Sequence, residues 1–258
     1  SSKQLSDWLQ SNLGADVVEG WAKTPEGQLK TGQEILAQYP DQPLVQPLRN
    51  YKEVSKLLST YGTNYAAHIS PKTGRIHAHF RLGGTATGRL SCRSPNVQNL
   101  PRGKAMRTLF SAPAGRVLVV ADYSQIELRV AALVSGDRNM LDAYAQGKDL
   151  HRTTAAAVAG VSFDEVTPGQ RQAAKAVNFG LLYGQGAKGL ARYAKTSYGA
   201  DLSEQEAQAA RTTFFDTYPG LRQWQQKTAN EAKRTQRVET PGGRVRDFTT
   251  EPGGYRYT

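Results

Sequence analysis

From Arg171 to Gly184 the chain reads RQAAKAVNFGLLYG, and its chemically capable side chains gather on one side of a helix. At about 100° per residue, Arg171, Lys175, Asn178, Phe179, Leu182 and Tyr183 fall within less than half the circumference. One stripe thus carries two cations followed by two aromatics. That order suits a nucleoside triphosphate lying along the helix. Arginine offers a bidentate fork and lysine a point charge for phosphates, while the rings can meet sugar and base. The plain alternative is an amphipathic helix with Phe179 and Tyr183 in the core and the cations in solvent.

A second candidate is Asp122. Phosphoryl transfer needs little covalent help but much charge neutralisation, usually from Mg²⁺ held by rigidly placed carboxylates. A lone Asp at a strand end is more often structural. Glu127 follows five residues later. On a helix starting there it could be a second ligand, a hydrogen-bonding group or an ordinary surface acid. A third stretch, residues 85–101, reads TATGRLSCRSPNVQNLP and has the polar composition of a solvated loop. Its Arg89, Asn96, Gln98 and Asn99 are nevertheless types that reach sugar, phosphate or minor-groove acceptors.

These residues need elements to hold them. Thr167, Pro168 and Gln170 mark a helix start, with a Thr-x-x-Gln capping box and proline at the first helical position. Val117, Leu118, Val119 and Val120 form an apolar run expected as a central strand buried on both faces, delivering Asp122 to its end. After Ser124, the spacing of Ile126, Val130, Leu133 and Val134 predicts a helix. Residues 65–69 and 75–82 are expected as paired strands around the turn Ser70-Pro71-Lys72-Thr73-Gly74. Residues 1 to about 60 read as mostly helical, with Leu5, Trp8 and Leu9 on one face and Val54, Leu57, Leu58 and Tyr61 on another. Residues 141–236 read as helices alone, broken at Gly160, 162–168, 184–189, 198–203 and Pro219-Gly220. His77 and His79 share a strand face but have no third metal ligand nearby in sequence. Gly184-Gln-Gly186-Ala-Lys-Gly189 matches the dinucleotide-binding glycine pattern, but a helix precedes it instead of a strand, so it is read as a helix end.

The 258 residues are 38% hydrophobic, enough for a core, and 33 Lys and Arg against 22 acids give a formal charge of +11. That excess favours a polyanionic partner. Cys92 is the single cysteine, which excludes an internal disulfide or cysteine zinc site and fits a reducing compartment. No apolar run approaches the roughly twenty residues of a spanning helix. A soluble, cytoplasmic protein is expected.

Together the segments resemble DNA polymerases of family A, the bacterial DNA polymerase I type. ATGRLS with PNVQNLP is similar to the palm segment that holds primer-template, VVADYSQIELR to the first metal-binding motif, and RQAAKAVNFGLLYG to the fingers helix. KLLSTY, PKTGRIH, GKDLHR and TYPG extend the likeness along nearly the whole chain. The resemblance implies an α+β right-hand polymerase fold: lower thumb helices over 1–62, a partial antiparallel palm sheet over 63–136, and mostly helical fingers over 137–258.

It also implies roles. Asp122 would bind two Mg²⁺ ions, with help from the Tyr123 backbone carbonyl. Glu127 would exclude a ribose 2′-hydroxyl. Arg171, Lys175 and His151 would contact the triphosphate, with Lys175 a candidate acid for departing pyrophosphate. Gln125 would sit beside the triphosphate, Phe179 beside the sugar and Tyr183 near the templating base. Arg89, Asn96, Gln98 and Asn99 would contact primer-template DNA. The implied activity is template-directed DNA synthesis from deoxynucleoside triphosphates by a monomer. Its rivals are a single-subunit RNA polymerase and a non-catalytic duplex-binding module. Cys92 stands where the family has serine. The family's later His-Asp-Glu motif does not occur in these 258 residues. The sequence begins Ser1-Ser2-Lys3 without an initiator methionine and ends at Thr258 just after Pro252, Gly253 and Gly254, where a turn is expected, so both ends are read as cuts. With the later motif missing, the chain alone is expected to be inactive.

Overall fold

A computed structural model describes residues 1–101 and 103–249. The chain divides into two compact units, Ser1–Leu118 and Val119–Thr258. The glycine turn read at Pro252, Gly253 and Gly254 lies outside the described residues.

In the first unit α1 (Ser2–Asn12), α2 (Ala15–Gly20), α3 (Gln33–Leu36) and α4 (Val45–Tyr61) surround a small core. Ser1 and Gln4 close a capping box at the start of α1, satisfying donors that a helix start leaves open. Leu9, Trp21, Leu29, Leu36 and Val45 are buried together, with Trp21 stacked on Tyr39 at 4.0 Å. The face expected on α4 is not that core. Val54 and Leu58 are exposed; the buried end of the helix is Val45, with Leu48 packed beside it.

The strand pair expected at 65–69 and 75–82 is mostly replaced. Residues Thr63–Ala66 form a helical turn, α5, closed by the Tyr65 and Ala66 N–H groups on the Gly62 carbonyl. Tyr65 is buried edge-on against Phe110, so local packing overrides its strand preference. What remains of the pair is a single bridge between Ile69 and Ile76 around the expected turn, where Gly74 takes φ +66°. The real partner of β1 (His79–Arg81) is β2 (Ser91–Arg93), antiparallel with Phe80 opposite Cys92. That strand lies inside the stretch read as loop, followed by a 3₁₀ turn at Val97–Asn99 and α6 (Lys104–Arg107).

The second unit is helical: α7 (Ile126–Ser135), α8 (Arg138–Ala145), α9 (Leu150–Ala159), α10 (Pro168–Leu182), α11 (Ala187–Tyr198), α12 (Glu204–Thr217) and α13 (Pro219–Thr235). A hairpin of β3 (Arg237–Glu239) and β4 (Val245–Asp247) follows. The breaks expected over 141–236 coincide with helix ends, with Gly160 just after α9, Pro168 and Pro219 opening α10 and α13, and residues 184–189 and 198–203 reaching into the ends of α11. Thr167 and Gln170 form the expected capping box, and Ser203 with Glu206 forms another on α12. Leu150, Val177, Leu181, Leu190, Phe214 and Tyr218 anchor the core.

Two expectations fail here. Residues 117–120 form no strand, and Val117, Val119 and Val120 are 82%, 86% and 88% exposed. A central strand needs neighbours to pair its backbone and layers to cover its faces, and the described residues supply neither. The helix after Ser124 does form, but on the other face. Leu128, Ala131 and Ala132 are buried, while Ile126, Val130 and Leu133 are exposed. Small alanines let α7 approach α8, α10 and α13 closely, which the larger side chains would prevent.

Candidate nucleotide site

The centre of the candidate site is an acid that the sequence did not single out. Asp149 is the N-cap of α9, where its Oδ1 accepts the His151 N–H at 2.9 Å. Its Oδ2 accepts from Arg171 on α10, Nε at 2.7 Å and Nη2 at 2.5 Å. Burial alone would push this carboxyl up. The Arg171 hydrogen bond and charge, with the His151 N–H, outweigh burial and hold it below the usual carboxylate range.

Gln125 joins from the start of α7. Its Nε2 donates to Asp149 Oδ1 at 3.3 Å, and its Oε1 accepts from the Tyr144 hydroxyl at 3.2 Å. The backbone there is left-handed, φ +55° and ψ +32°, a conformation that costs a non-glycine residue free energy. The two side-chain bonds help hold it. Tyr144 lies beneath the Arg129 guanidinium, 4.3 Å from its ring centroid. Burial pushes the Tyr144 phenol up to about 12 despite that cation, so it serves as a proton donor at neutral pH.

His151 is 4% exposed. Its Nδ1 meets Asn178 Nδ2 at 2.8 Å, and its ring tilts against Phe179 with centroids 5.5 Å apart. Burial pushes its pKa down to about 4; Asp149 opposes the shift, while Arg171 and Lys175 add to it. The imidazole is therefore neutral at physiological pH. Behind it Thr154 donates to Asn178 Oδ1 at 2.8 Å and meets the Tyr218 hydroxyl at 3.0 Å. Gln225 on α13 donates to the Leu181 and Leu182 carbonyls, 3.0 Å each, tying down the end of α10.

The structure thus gathers Gln125, His151, Arg171 and Phe179 into one contact network, with Lys175 close enough for its charge to depress His151. Tyr183 caps α10 and is half-exposed. Asn178, read on the same stripe, points inward and is fully buried. Asp122 and Tyr123 are exposed on an irregular segment, and Glu127 is half-buried in the first turn of α7. In the first unit Arg89, Asn96, Gln98 and Asn99 are exposed. Two of these already serve the loop: Asn96 Oδ1 accepts the Gln98 N–H at 3.0 Å, and Gln98 Nε2 donates to the Leu90 carbonyl at 3.2 Å.

Asp149, Tyr144, Thr154 and Tyr218 are the members that sequence reasoning missed. Asp149 alone carried a signal, an acid just before a helical run and thus a candidate N-cap. The others meet through tertiary contacts and left no trace in spacing. For Mg²⁺, the Asp122 carboxylate and Tyr123 carbonyl are hard oxygen donors. They fit an ion commonly held by one or two carboxylates with phosphate oxygens completing the shell. Among the described residues, no three His, Cys, Asp or Glu side chains converge as a metal-binding group.

The sequence profile of DNA polymerase family A matches residues 1–251. The chain belongs to that family. The chain is 41% identical over 250 residues to DNA polymerase I of Pseudomonas aeruginosa, a match covering 95% of the chain and 26% of the relative. To DNA polymerase I of Aquifex aeolicus it is 40% identical, over 90% of the chain and 39% of the relative. To the thermostable DNA polymerase I of Thermus aquaticus it is 40% identical, over 95% and 29%. It therefore spans about a quarter to two-fifths of the length of these curated relatives. Among solved structures, it resembles the POL domain of Pol1 from M. smegmatis in complex with DNA primer-template and dNTP. There the TM-score is 0.79 and the identity 31%, covering 94% of the chain and 43% of that structure. The fold is the α+β polymerase fold of that family. No described helix is long and apolar enough to cross a membrane.

Proposed function

We propose that the chain carries the nucleotide-selecting part of a template-directed DNA polymerase, which adds deoxynucleoside monophosphates to a primer 3′ end. The observation that supports this best is the α9–α10 network of a family A chain. There Arg171 and neutral His151 stand beside an aromatic, Phe179, with Lys175 one turn away. In this reading Arg171, Lys175 and His151 hold the triphosphate and Gln125 lies beside it. Phe179 meets the sugar and Tyr183 the templating base. Glu127 excludes a 2′-hydroxyl, and Lys175 is placed to return a proton to pyrophosphate. Arg89, Asn96, Gln98 and Asn99 hold primer-template. The thumb, palm and fingers assignments are 1–62, 63–136 and 137–258.

Asp122, with the Tyr123 carbonyl, would hold two Mg²⁺ ions. Bound there, they would supply charge neutralisation for phosphoryl transfer. The 258 residues contain no His-Asp-Glu sequence, and the chain alone is proposed to lack synthesis while keeping nucleotide recognition.

Titrating the chain with dATP tests the reading. Arg171→Ala is expected to weaken binding about 10-fold or more, the worth of a lost charge-assisted hydrogen bond. Equal binding by wild type and variant refutes the site. Robust Mg²⁺-dependent primer extension by the chain refutes its proposed inactivity. An unchanged preference for dATP over ATP in Glu127→Ala refutes the sugar gate.

A further inference from the structure

We propose that Tyr218, Thr154 and Asn178 are positioning residues that fix His151 as the Nε2–H tautomer, aiming that proton at the nucleotide's phosphates. The proposal rests on the nucleotide reading above, and it assigns a task to three residues buried behind the site.

The hydrogen bonds run in one direction. Thr154 has a single hydroxyl proton and gives it to Asn178 Oδ1 at 2.8 Å. Its contact with Tyr218 at 3.0 Å must then take the tyrosine's proton. Tyr218 keeps that proton, because burial pushes its phenol up to about 12. With Oδ1 engaged by Thr154, Asn178 presents its NH₂ to His151 at 2.8 Å. A ring nitrogen that accepts a hydrogen bond carries no proton, so a neutral His151 carries its proton on Nε2.

Burial makes this arrangement hard to reverse. Asn178 and Tyr218 are fully buried and Thr154 is 1% exposed, so no water is at hand to replace a broken link. Turning one dipole would set donor against donor in a site of low dielectric. The chain also crosses the fold, with Thr154 and His151 on α9, Asn178 on α10 and Tyr218 between α12 and α13.

The opposite side of the ring is where the donor is needed. Nε2 has no partner among the described residues, and Arg171, Lys175 and Asp149 are the charged groups that act on the imidazole. A neutral N–H donates to a phosphate oxygen without a third cation beside Arg171 and Lys175. The other tautomer would turn a lone pair toward the anion.

The test uses the ¹⁵N-labelled 258-residue chain, reading the His151 tautomer by long-range ¹H–¹⁵N correlation and affinity by dATP titration. Wild type is expected as Nε2–H. Asn178→Asp puts an acceptor against Nδ1 and is expected to shift the ring to Nδ1–H and weaken dATP about 10-fold. In a His151→Gln background, whose amide needs no such partner, Asn178→Asp is expected to change dATP affinity less than about 2-fold. Should Asn178→Asp fail to fold, Thr154→Val keeps the shape and removes the hydroxyl, and a mixed tautomer is expected. An Nδ1–H wild type overturns the proposal, as does an equal effect of Asn178→Asp with and without His151. Nε2–H in a chain that binds no dATP overturns the donor role together with the nucleotide reading, while leaving the tautomer assignment standing.

Discussion

Asp137 caps two helices at once, and removing its carboxylate should loosen both. The residue is 1% exposed. Its Oδ1 accepts the Met140 N–H at 3.0 Å as the N-cap of α8. Its Oδ2 accepts the Gly220 and Leu221 N–H groups at 2.7 and 3.2 Å in the first turn of α13. In Asp137→Ala the lost cap costs about 1 kcal/mol. The two stranded donors of α13 cost about 1–3 kcal/mol each when fully buried. The Leu221 bond is long and Gly220 is only half-buried, so about 2 kcal/mol for the pair is the better figure. The total is about 3 kcal/mol, or roughly a 100-fold rise in local opening. Hydrogen exchange read by mass spectrometry should show that loss of protection in α8 and in the first turn of α13 together. Asp137→Asn should recover the α8 part alone, because its NH₂ would face the Gly220 N–H. A loss below about 1 kcal/mol, or one confined to α8, would refute the double cap. Tyr218 immediately precedes that turn, so the same variant should also blur the His151 tautomer.

Stability should fall as pH drops from about 6.5 to 4, because an unfolded histidine takes its proton near 6.5 while folded His151 resists until about 4. The unfolded state binds the extra proton, so up to about 3 kcal/mol is lost across that window. Urea unfolding at both pH values should show the slope, and His151→Gln should flatten it. Asp149, held low by Arg171, contributes its stabilisation above the usual carboxylate range and loses it only at lower pH. Gly180→Ala should destabilise by about 1 kcal/mol despite better helix propensity, because the new Cβ would lie 2.8 Å from Leu190 Cδ1 and 3.0 Å from Gln185 Oε1. A stabilised variant in thermal unfolding would show that α10 and α11 have room to separate. Thr167→Ala should cost about 1 kcal/mol by losing the capping box that starts α10, measured as earlier fraying of the turn carrying Arg171.

What the sequence determined by itself was local or periodic. The capping box at Thr167, the helix that carries Arg171 to Tyr183 and the helix ends over 141–236 depend on neighbours a few residues apart, and each is found. The family likeness was legible for the same reason, since its motifs are contiguous. Tertiary structure decided which face is inside. Asn178 shares the stripe's angle with Arg171, yet it is fully buried as a polar link between Thr154 and His151 of α9. Ile126 and Val130 have the right spacing for a core face, yet the alanines of α7 are buried, because close helix approach rewards small side chains there. Val117 to Val120 show the limit most plainly. An apolar run promises burial, but only partner strands and covering layers can supply it. Asp149 joins residues 24 and 22 positions away, and no pattern along the chain reports a meeting that the packing of α7, α9 and α10 creates.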